Sequence, residues 1–151
     1  MARFFVEGVR GKMPGSVEAI VGEAADGALL EAGERLSEYY RGAISEHGLI
    51  DTGELMESIG PTTVRVSAKE GRHLDVYPQG TRKNGTRNAA VGFYHEYGVK
   101  RSSPRKSVNA THWMSNALDD VEEEINEILK RGVAEAMENA LLGTIDENIG
   151  G

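Results

Sequence analysis

The stretch LIDTGELMESI, residues 49–59, separates a helical first third of the chain from a strand-like middle. Within it, Glu54 follows Asp51 by three residues. This spacing predicts a helix start, because a side-chain oxygen at the N-cap accepts a free backbone N–H and the later carboxylate reaches back. Leu55 and Ile59 would then lie on the buried side of a short helix of about two turns.

The same triplet, Asp51-Thr52-Gly53, is also the active-site signature of aspartic proteases, in which two such carboxylates share a proton. A retroviral-type protease carries the triplet on a β-loop in a nearly all-β chain. Here an amphipathic helical pattern follows at once, and most of the chain has helical periodicity. We therefore interpret the triplet as a helix cap rather than as half of a protease site.

The length and composition favour one soluble domain without thiol chemistry. A chain of 151 residues is long enough for one core but not for two. It contains no cysteine, which removes disulfides, thiolate metal sites and cysteine nucleophiles together and agrees with a reducing compartment. No apolar run approaches the length of a membrane span, so we expect no membrane contact.

The net charge of −7 hides a strong asymmetry along the chain. Residues 1–63 carry a net charge of −6, residues 64–106 a net charge of +7, and residues 107–151 a net charge of −8. A basic block between two acidic ones has two natural explanations: it contacts phosphate, or it contacts the acidic surface of a neighbouring copy. Composition alone leaves both open.

Periodicity predicts the order of the elements. Residues 2–9 could form a short first strand, and a long amphipathic helix follows from a cap at Ser16 to the His47-Gly48 end. Residues 63–68 alternate as a strand does, 73–78 read as the returning strand, and 89–97 as the next strand. In the loop before that last strand, Asn84-Gly85 favours a tight turn with two positive φ angles.

A second long helix is expected to begin near Asn109 or Thr111 and to stop at Gly143. We therefore predict an α+β fold: two long helices packed against a small antiparallel sheet, with a short helix after the Asp-Thr-Gly cap. Residues 1–143 would form a single domain. Residues 144–151 would be a flexible or partner-docking C-terminal tail.

The sequence offers no arrangement of groups for catalysis. His47, His73, His95 and His112 are widely separated, and none forms a close ligand pair. A phosphate-cradling Gly-x-x-x-x-Gly-Lys loop is missing, and no nucleophile, base and oxyanion donor come together. We therefore predict that the chain is not an enzyme, with no catalytic residue, no metal and no cofactor.

Two basic loops are the best candidate for a functional surface. Their residues flank the predicted strand 89–97 and are expected to cluster at one end of the sheet. They are Arg82, Lys83, Arg87, Lys100, Arg101, Arg105 and Lys106. Such charge suits DNA phosphate, with salt-sensitive binding. The alternative is that these residues only make the loop tips soluble. We favour a protein contact, because the helices carry the complementary charge and opposite patches on one subunit suit a head-to-tail, ring-closing interface.

Three segments, taken in order, resemble a known family. They are Asp51-Thr-Gly-x-Leu55-x-x-Ser58-Ile59, Tyr94-His-Glu-Tyr-Gly98 and, after a proline-containing basic loop, Trp113-Met-x-x-Ala117-Leu118. This order resembles the neck or minor tail-component proteins of long-tailed phages, the group related to the tail-completion proteins of lambda-like phages. The likeness spans roughly residues 16–140. The family usually has Pro-x-(Arg/Lys)-Pro-Phe before the last helix, where this chain has Ser103-Pro-Arg-Lys-Ser-Val.

The resemblance implies a structural virion protein, assembled in the host cytoplasm, without catalysis. It would form a homo-oligomeric ring, expected to be hexameric, that links the head connector to the tail tube and can touch the DNA in the channel non-specifically. Its partners would be neighbouring copies and the connector and tail proteins. The residues that would serve the fold are Asp51, Gly53, Leu55, Ser58, Ile59, Tyr97, Gly98 and Trp113. The alternative is a small DNA-binding protein that uses the basic loops 82–87 and 100–106.

Overall fold

Two long antiparallel helices and a small antiparallel sheet form the molecule, which confirms the predicted α+β fold. The computed structural model describes residues 2–5, 15–49, 52–100 and 107–149, with the side chains of 21–49, 52–100 and 107–142. In chain order the elements are β1 (Ala2–Phe5), α1 (Gly15–Glu46), α2 (Glu54–Ser58), β2 (Ile59–Pro61), β3 (Arg65–Ser67), β4 (Gly71–Pro78), α3 (Asn88–Tyr97) and α4 (Trp113–Ile149).

The sheet is built around β4, which pairs along both of its edges. Val76 lies opposite Ala2 of β1 on one side and opposite Pro61 of β2 on the other. β3 continues along the same edge as β2, and all pairs are antiparallel. Between β2 and β3, residues 62–64 face only residues 74 and 75 of β4, which is the geometry of a β-bulge. There the Asp75 N–H donates to the Thr62 hydroxyl oxygen over 3.0 Å.

α1 lies directly on the sheet because a glycine faces it. A Cβ at Gly33 would stand 2.9 Å from the Pro61 Cβ and 3.1 Å from the Leu74 Cδ1, so any larger residue would lift the helix. Leu74 and Val76 of β4 are fully buried on this side. Burying each such side chain stabilises the fold by about 1.5–3 kcal/mol.

The two long helices share the rest of the core. The side chains buried along them include Leu29, Ala32, Leu36, Tyr40, Ile44, Val121, Ile125 and Ile128. The helices run antiparallel, since Ala28 lies against Gly132 at one end and Tyr40 lies edge-on to Trp113 at the other, 5.5 Å between ring centres. At Gly132 an added Cβ would come within 2.7 Å of the Ala28 Cβ, so this glycine sets the closest approach of the pair.

The largest difference from the sequence prediction concerns residues 89–97, which were expected to be a strand. They form helix α3 instead. Its buried positions are Asn88, Gly92 and Glu96, spaced by four residues. Because two of the three are polar and the third has no side chain, hydrophobic periodicity does not reveal the helix.

Other predicted boundaries shift. α4 begins at Trp113 rather than near Asn109 or Thr111, and it passes through Gly143 to end at Ile149, so the predicted stop is wrong and most of the supposed tail is helical. The end of α1 at Glu46, followed by Gly48 with φ +66°, confirms the His47-Gly48 end. Ser16 already lies inside α1 rather than at its cap.

The predicted strands also shift. The first covers residues 2–5 of the expected 2–9, and residues 6–9 lie outside the described part of the chain. β3 is shorter than the expected 63–68, and the returning strand β4 already begins at Gly71. β2 was not expected at all, because three residues are too few to show an alternating pattern.

The close approach at Gly132 can be tested against a glycine with open space. Gly132→Val is expected to lower the free energy of unfolding by about 1–3 kcal/mol, because the new side chain must push Ala28 away. Gly27→Ala, where an added Cβ meets nothing within 4 Å, should raise it by up to about 1 kcal/mol through helix propensity. Urea denaturation followed by circular dichroism measures both. Equal stability of Gly132→Val and wild type would contradict the packing described.

Candidate interaction surface

Four parts of the chain meet at Gly92 in the middle of α3. A Cβ there would lie 2.9 Å from the Pro78 Cγ, 3.3 Å from the Trp113 Cζ2 and 3.7 Å from the Leu55 Cδ1. The Trp113 indole N–H donates to the Gly92 carbonyl oxygen over 3.0 Å. The end of β4, α2, α3 and the start of α4 therefore pack around one residue without a side chain.

A buried carboxylate from α3 caps α4. Glu96 is only 2% exposed, and its Oε2 accepts the Met114 N–H over 2.7 Å. Its Oε1 accepts the Ser115 N–H over 3.2 Å and also the Ser115 hydroxyl. A negative charge is favourable at a helix N-terminus, where backbone N–H groups have no partner within the helix. Burial raises the pKa of the neighbouring Tyr40 phenol, and the charge of Glu96 raises it further.

The basic loop after α3 leaves and returns through a fixed base. Val99 and Val108 exchange two backbone hydrogen bonds of 2.7 and 2.8 Å. Before them, Gly98 has φ +76°, and a Cβ there would lie 2.9 Å from the Val108 carbonyl oxygen and from the Ala110 nitrogen. Only glycine fits this position. Lys100 is exposed at the start of the loop, while Arg101, Arg105 and Lys106 lie outside the described residues.

The other basic loop is a small hairpin ahead of α3. The Gly85 N–H donates to the Arg82 carbonyl over 2.9 Å, and the Arg82 N–H donates to the Thr86 carbonyl over 2.8 Å. Gly85 has φ +88°, but Asn84 does not have a positive φ. The turn predicted at Asn84-Gly85 is present, but it is wrong in type: only its glycine is left-handed, as in three-residue hairpin loops.

This hairpin is held against the start of α2. The Lys83 N–H donates to the Glu54 carboxylate over 3.2 Å, and the Thr52 hydroxyl donates to the other oxygen over 3.0 Å. The hydrogen bond from Lys83 lowers the pKa of Glu54 most, and the one from Thr52 lowers it further.

The residues expected to serve the fold lie around these contacts. Gly53, with φ +79°, is the N-cap of α2, and the Thr52 hydroxyl oxygen accepts the Glu54 N–H over 3.3 Å. The predicted cap is thus displaced from Asp51, which itself lies outside the described residues. Leu55 and Ile59 are buried as expected. The Ser58 hydroxyl donates to the Leu55 carbonyl over 2.7 Å.

The two basic loops lie at the two ends of α3. Arg87 directly precedes α3 and Lys100 follows it, so the 10 residues of α3, about 15 Å of helix, lie between them. The segment expected to be a strand between the loops is thus a helix, and because Arg101, Arg105 and Lys106 lie outside the described residues, the expected clustering of all seven stays a prediction. Lys83, Arg87 and Lys100 are exposed, while Arg82 is half-buried.

Sequence reasoning missed the exposed face of α3. Tyr94 is 41% exposed and Tyr97 is 68% exposed, and the Tyr97 ring stacks on Phe93 with 6.1 Å between centroids. Counting back from Tyr97 by three, four and three residues gives Tyr94, Ala90 and Arg87, the spacing of one helical face. That spacing is present in the sequence, but in a strand Tyr94 and Tyr97 would point to opposite faces. We define the α3 face as Arg87, Ala90, Tyr94, Tyr97 and Lys100.

An acidic groove runs along the outer side of the α1–α4 pair. It consists of two clefts of about 470 and 490 Å³ that share Arg35 and Glu38 in their walls. The charged side chains that line this acidic groove are Glu31, Glu34, Glu38, Glu46, Asp120, Glu124, Glu127, Arg35 and Arg131, a net charge of −5. The Arg35 Nε lies 2.6 Å from Glu124, and its Nη1 lies 2.5 Å from Glu38. These bonds raise the pKa of its guanidinium.

Comparisons of the chain with protein-family models, curated proteins and solved structures find no match. Among the described side chains, no three His, Asp or Glu residues come together as metal ligands would. In the same part of the chain, every helix is too short or too polar to span a membrane. The surfaces described above, namely the two basic loops, the α3 face and the acidic groove, form the candidate site.

The Glu96 cap can be tested by removing its acceptor. Glu96→Ala leaves the buried Met114 N–H and the partly buried Ser115 N–H of α4 without their acceptor, so we expect a loss of about 1–3 kcal/mol of unfolding free energy. The amides of Met114 and Ser115 should exchange hydrogen faster in the same variant. Glu122→Ala, an exposed glutamate of α4, is the matched control and should change neither quantity. Unchanged exchange at both amides would argue against the cap.

The contact of Glu54 with the hairpin should depend on pH. Because the pKa of Glu54 is lowered in the folded state, the contact stabilises at pH values above the ordinary value of 4.5. It is lost as the pH falls through the lowered folded-state value. The amide proton of Lys83, followed by NMR from pH 7 to pH 2, should report this midpoint below 4.5. Glu54→Gln should abolish that titration; a Lys83 amide that still titrates in this variant would assign it to another group.

Proposed function

We propose that this chain is a structural protein of the head–tail junction of a long-tailed phage. It would be one subunit of a homo-oligomeric ring, with a hexamer as the expected form, between the head connector and the tail tube. The observation that carries this proposal is that the three segments of the family resemblance pack together. Leu55 of the first and Trp113 of the third both lie against Gly92, and Glu96 of the second caps the helix that Trp113 begins.

The packing gives these three segments a common structural role. Glu96 is occupied as a helix cap, and the buried His73 ring has its Nδ1 2.9 Å from the Gly71 carbonyl oxygen. The Glu96 carboxylate and the His73 ring are thus both engaged in hydrogen bonds within the frame. The frame in turn fixes the bases of both basic loops, which supports a role in contact rather than in catalysis.

The charge distribution supports assembly into a ring. The subunit carries basic loops at the two ends of α3 and an acidic groove along α1 and α4. Surfaces of opposite sign at different places on one subunit suit a heterologous contact, which closes into a ring when the rotation between neighbours allows it. The other partners would be the connector and tail proteins of the virion.

A DNA-binding role is the second candidate, and one observation favours it. The exposed rings of Tyr94 and Tyr97 lie between two basic segments, as in proteins that stack bases while cations follow the backbone. The acidic groove and the net charge of −7 weigh against it, since they repel phosphate.

Removing exposed basic charge should separate the two functions. Serine at Lys83, Arg87 and Lys100 together is expected to prevent assembly, alone or with phage head and tail components, while the melting temperature changes little. These three are chosen because they are exposed, whereas Arg82 is half-buried. Light scattering at low and high salt measures the assembly, and a gel shift with duplex DNA measures nucleic-acid binding.

The matched control places serine at Arg65, Lys69 and Lys130, which are also exposed and remove the same charge elsewhere. It should assemble as wild type does. Intact assembly of the first triple variant would remove the basic loops from the interface. A wild-type protein that remains a single subunit, joins no virion component and shifts DNA with a steep salt dependence would favour the second candidate.

A further inference from the structure

We propose that the α3 face of one copy docks into the acidic groove of a second copy. This inference rests on the proposed function, because it names the partner surfaces of the ring. It adds two surfaces to the basic loops: the tyrosines of α3 between them, and the acidic groove of the neighbouring copy as the surface that they contact.

The α3 face has the composition of an interface centre. Tyr94 and Tyr97 are the two most exposed aromatic side chains of the described residues, and exposed apolar groups that lie together often mark an interaction site. Tyrosine and arginine dominate the binding energy of protein interfaces. Arg87, directly before α3, and Lys100, three residues after its end, are both exposed.

The face is also held rigid before any partner arrives. The Phe93 and Tyr97 rings are stacked, with 26° between their planes. α3 itself is fixed by the Trp113 hydrogen bond to Gly92 and by the Glu96 cap. A preorganised surface loses little conformational entropy on binding, so more of its contact energy appears as affinity.

The acidic groove offers the complementary chemistry. Its lining includes the carboxylates together with the Tyr39 ring and the aliphatic residues Ala43, Ala117 and Ile128. A tyrosine has an apolar ring and a polar tip, which matches apolar surface below a polar rim. Among the described side chains, Arg35 is paired with Glu38 and Glu124, but no ion pair is made by Glu34 or Glu127. Both carboxylates line the same cleft, where they can accept a cation from the α3 face of a neighbouring copy.

The lengths of the two surfaces agree. The groove extends along α1 from Glu31 to Glu46, 16 residues or about 24 Å of helix. α3 has 10 residues and is about 15 Å long. The groove can therefore hold the whole exposed face together with the basic residues at its ends.

The contact must be between copies. α3 packs against α2, β4 and the start of α4, and none of the residues that line the groove belongs to α3. Since the face and the groove are different surfaces of one subunit, each copy can give one and receive one. This is the head-to-tail arrangement that generates rings.

The test uses two variants that each lack one side of the contact. The face variant carries Tyr94→Ser and Tyr97→Ser, and the groove variant carries Glu34→Lys and Glu127→Lys. Each alone is expected to self-associate about 30-fold more weakly than wild type, the effect of losing an interface hot spot. Mixed in equal amounts, they should form a complex of two subunits that does not grow, because one intact face meets one intact groove. Light scattering after size-exclusion chromatography measures the masses.

Milder variants guard against misfolding. Tyr94→Phe with Tyr97→Phe, and Glu34→Gln with Glu127→Gln, keep the shapes of both surfaces and should weaken association less than the first pair. Circular dichroism and thermal melting check that all four variants fold. If the folded face and groove variants associate as wild type does, or if their mixture gives only single subunits, the docking is overturned.

The outcome also distinguishes this docking from the proposed function. Wild-type rings or virion incorporation that survive in both variants would overturn the docking and leave the head–tail role standing. A mixed complex of two subunits from a protein that joins no virion component would support the docking and remove that role. If the face variant lost only a DNA shift, with self-association unchanged, the α3 face would be a nucleic-acid surface and the docking would be overturned.

Discussion

The rest of the structure depends on one buried charge, the Glu96 carboxylate at the start of α4. A carboxylate removed from water is costly unless hydrogen bonds replace its hydration. Here the replacements are backbone N–H groups of Met114 and Ser115, which themselves need acceptors because they open a helix. The carboxylate and the two N–H groups thus satisfy each other's hydrogen bonds. The consequence is tertiary: the end of α3 cannot move relative to the start of α4 without exposing both.

Close backbone approach is the second constraint, and glycines provide it at separate contacts. Gly33 brings α1 onto the sheet, Gly132 brings α4 onto α1, and Gly92 admits the Trp113 ring against α3. A glycine inside a helix costs up to about 1 kcal/mol relative to alanine. That cost is offset where the missing Cβ lets large side chains such as Trp113 and Leu74 be fully buried. The frame is therefore tight at these contacts, and the exposed groups project from it.

Much of the frame could be predicted from the sequence, and the limits are physical. α1 and α4 carry long apolar stripes, and β4 carries Leu74 and Val76, so pattern alone identifies them. α3 could not be identified in that way, because it buries Asn88, Gly92 and Glu96 rather than apolar side chains. Its aromatic residues instead favour a strand by propensity. The α3 face was lost with it, since Tyr94 and Tyr97 share a side only in a helix.

The candidate site was predictable in its residues but not in its layout. Lys83, Arg87 and Lys100 are exposed, as basic loop residues usually are. Their positions at the two ends of α3 depend on that segment being a helix. The acidic groove follows from the antiparallel pairing of α1 and α4, which brings Glu31 beside Arg131 and Arg35 beside Glu124. No local pattern contains such a pairing, because its members are about ninety to a hundred residues apart in sequence.

The pair of hydrogen bonds between Val99 and Val108 has a consequence for how such a chain can diversify. Their closure makes the segment between them a self-contained module whose ends stay the same distance apart whatever its content. Doubling the length of such a loop costs only about 0.6 kcal/mol of closure entropy. Changes in the length or sequence of this segment should therefore cost the rest of the fold little stability.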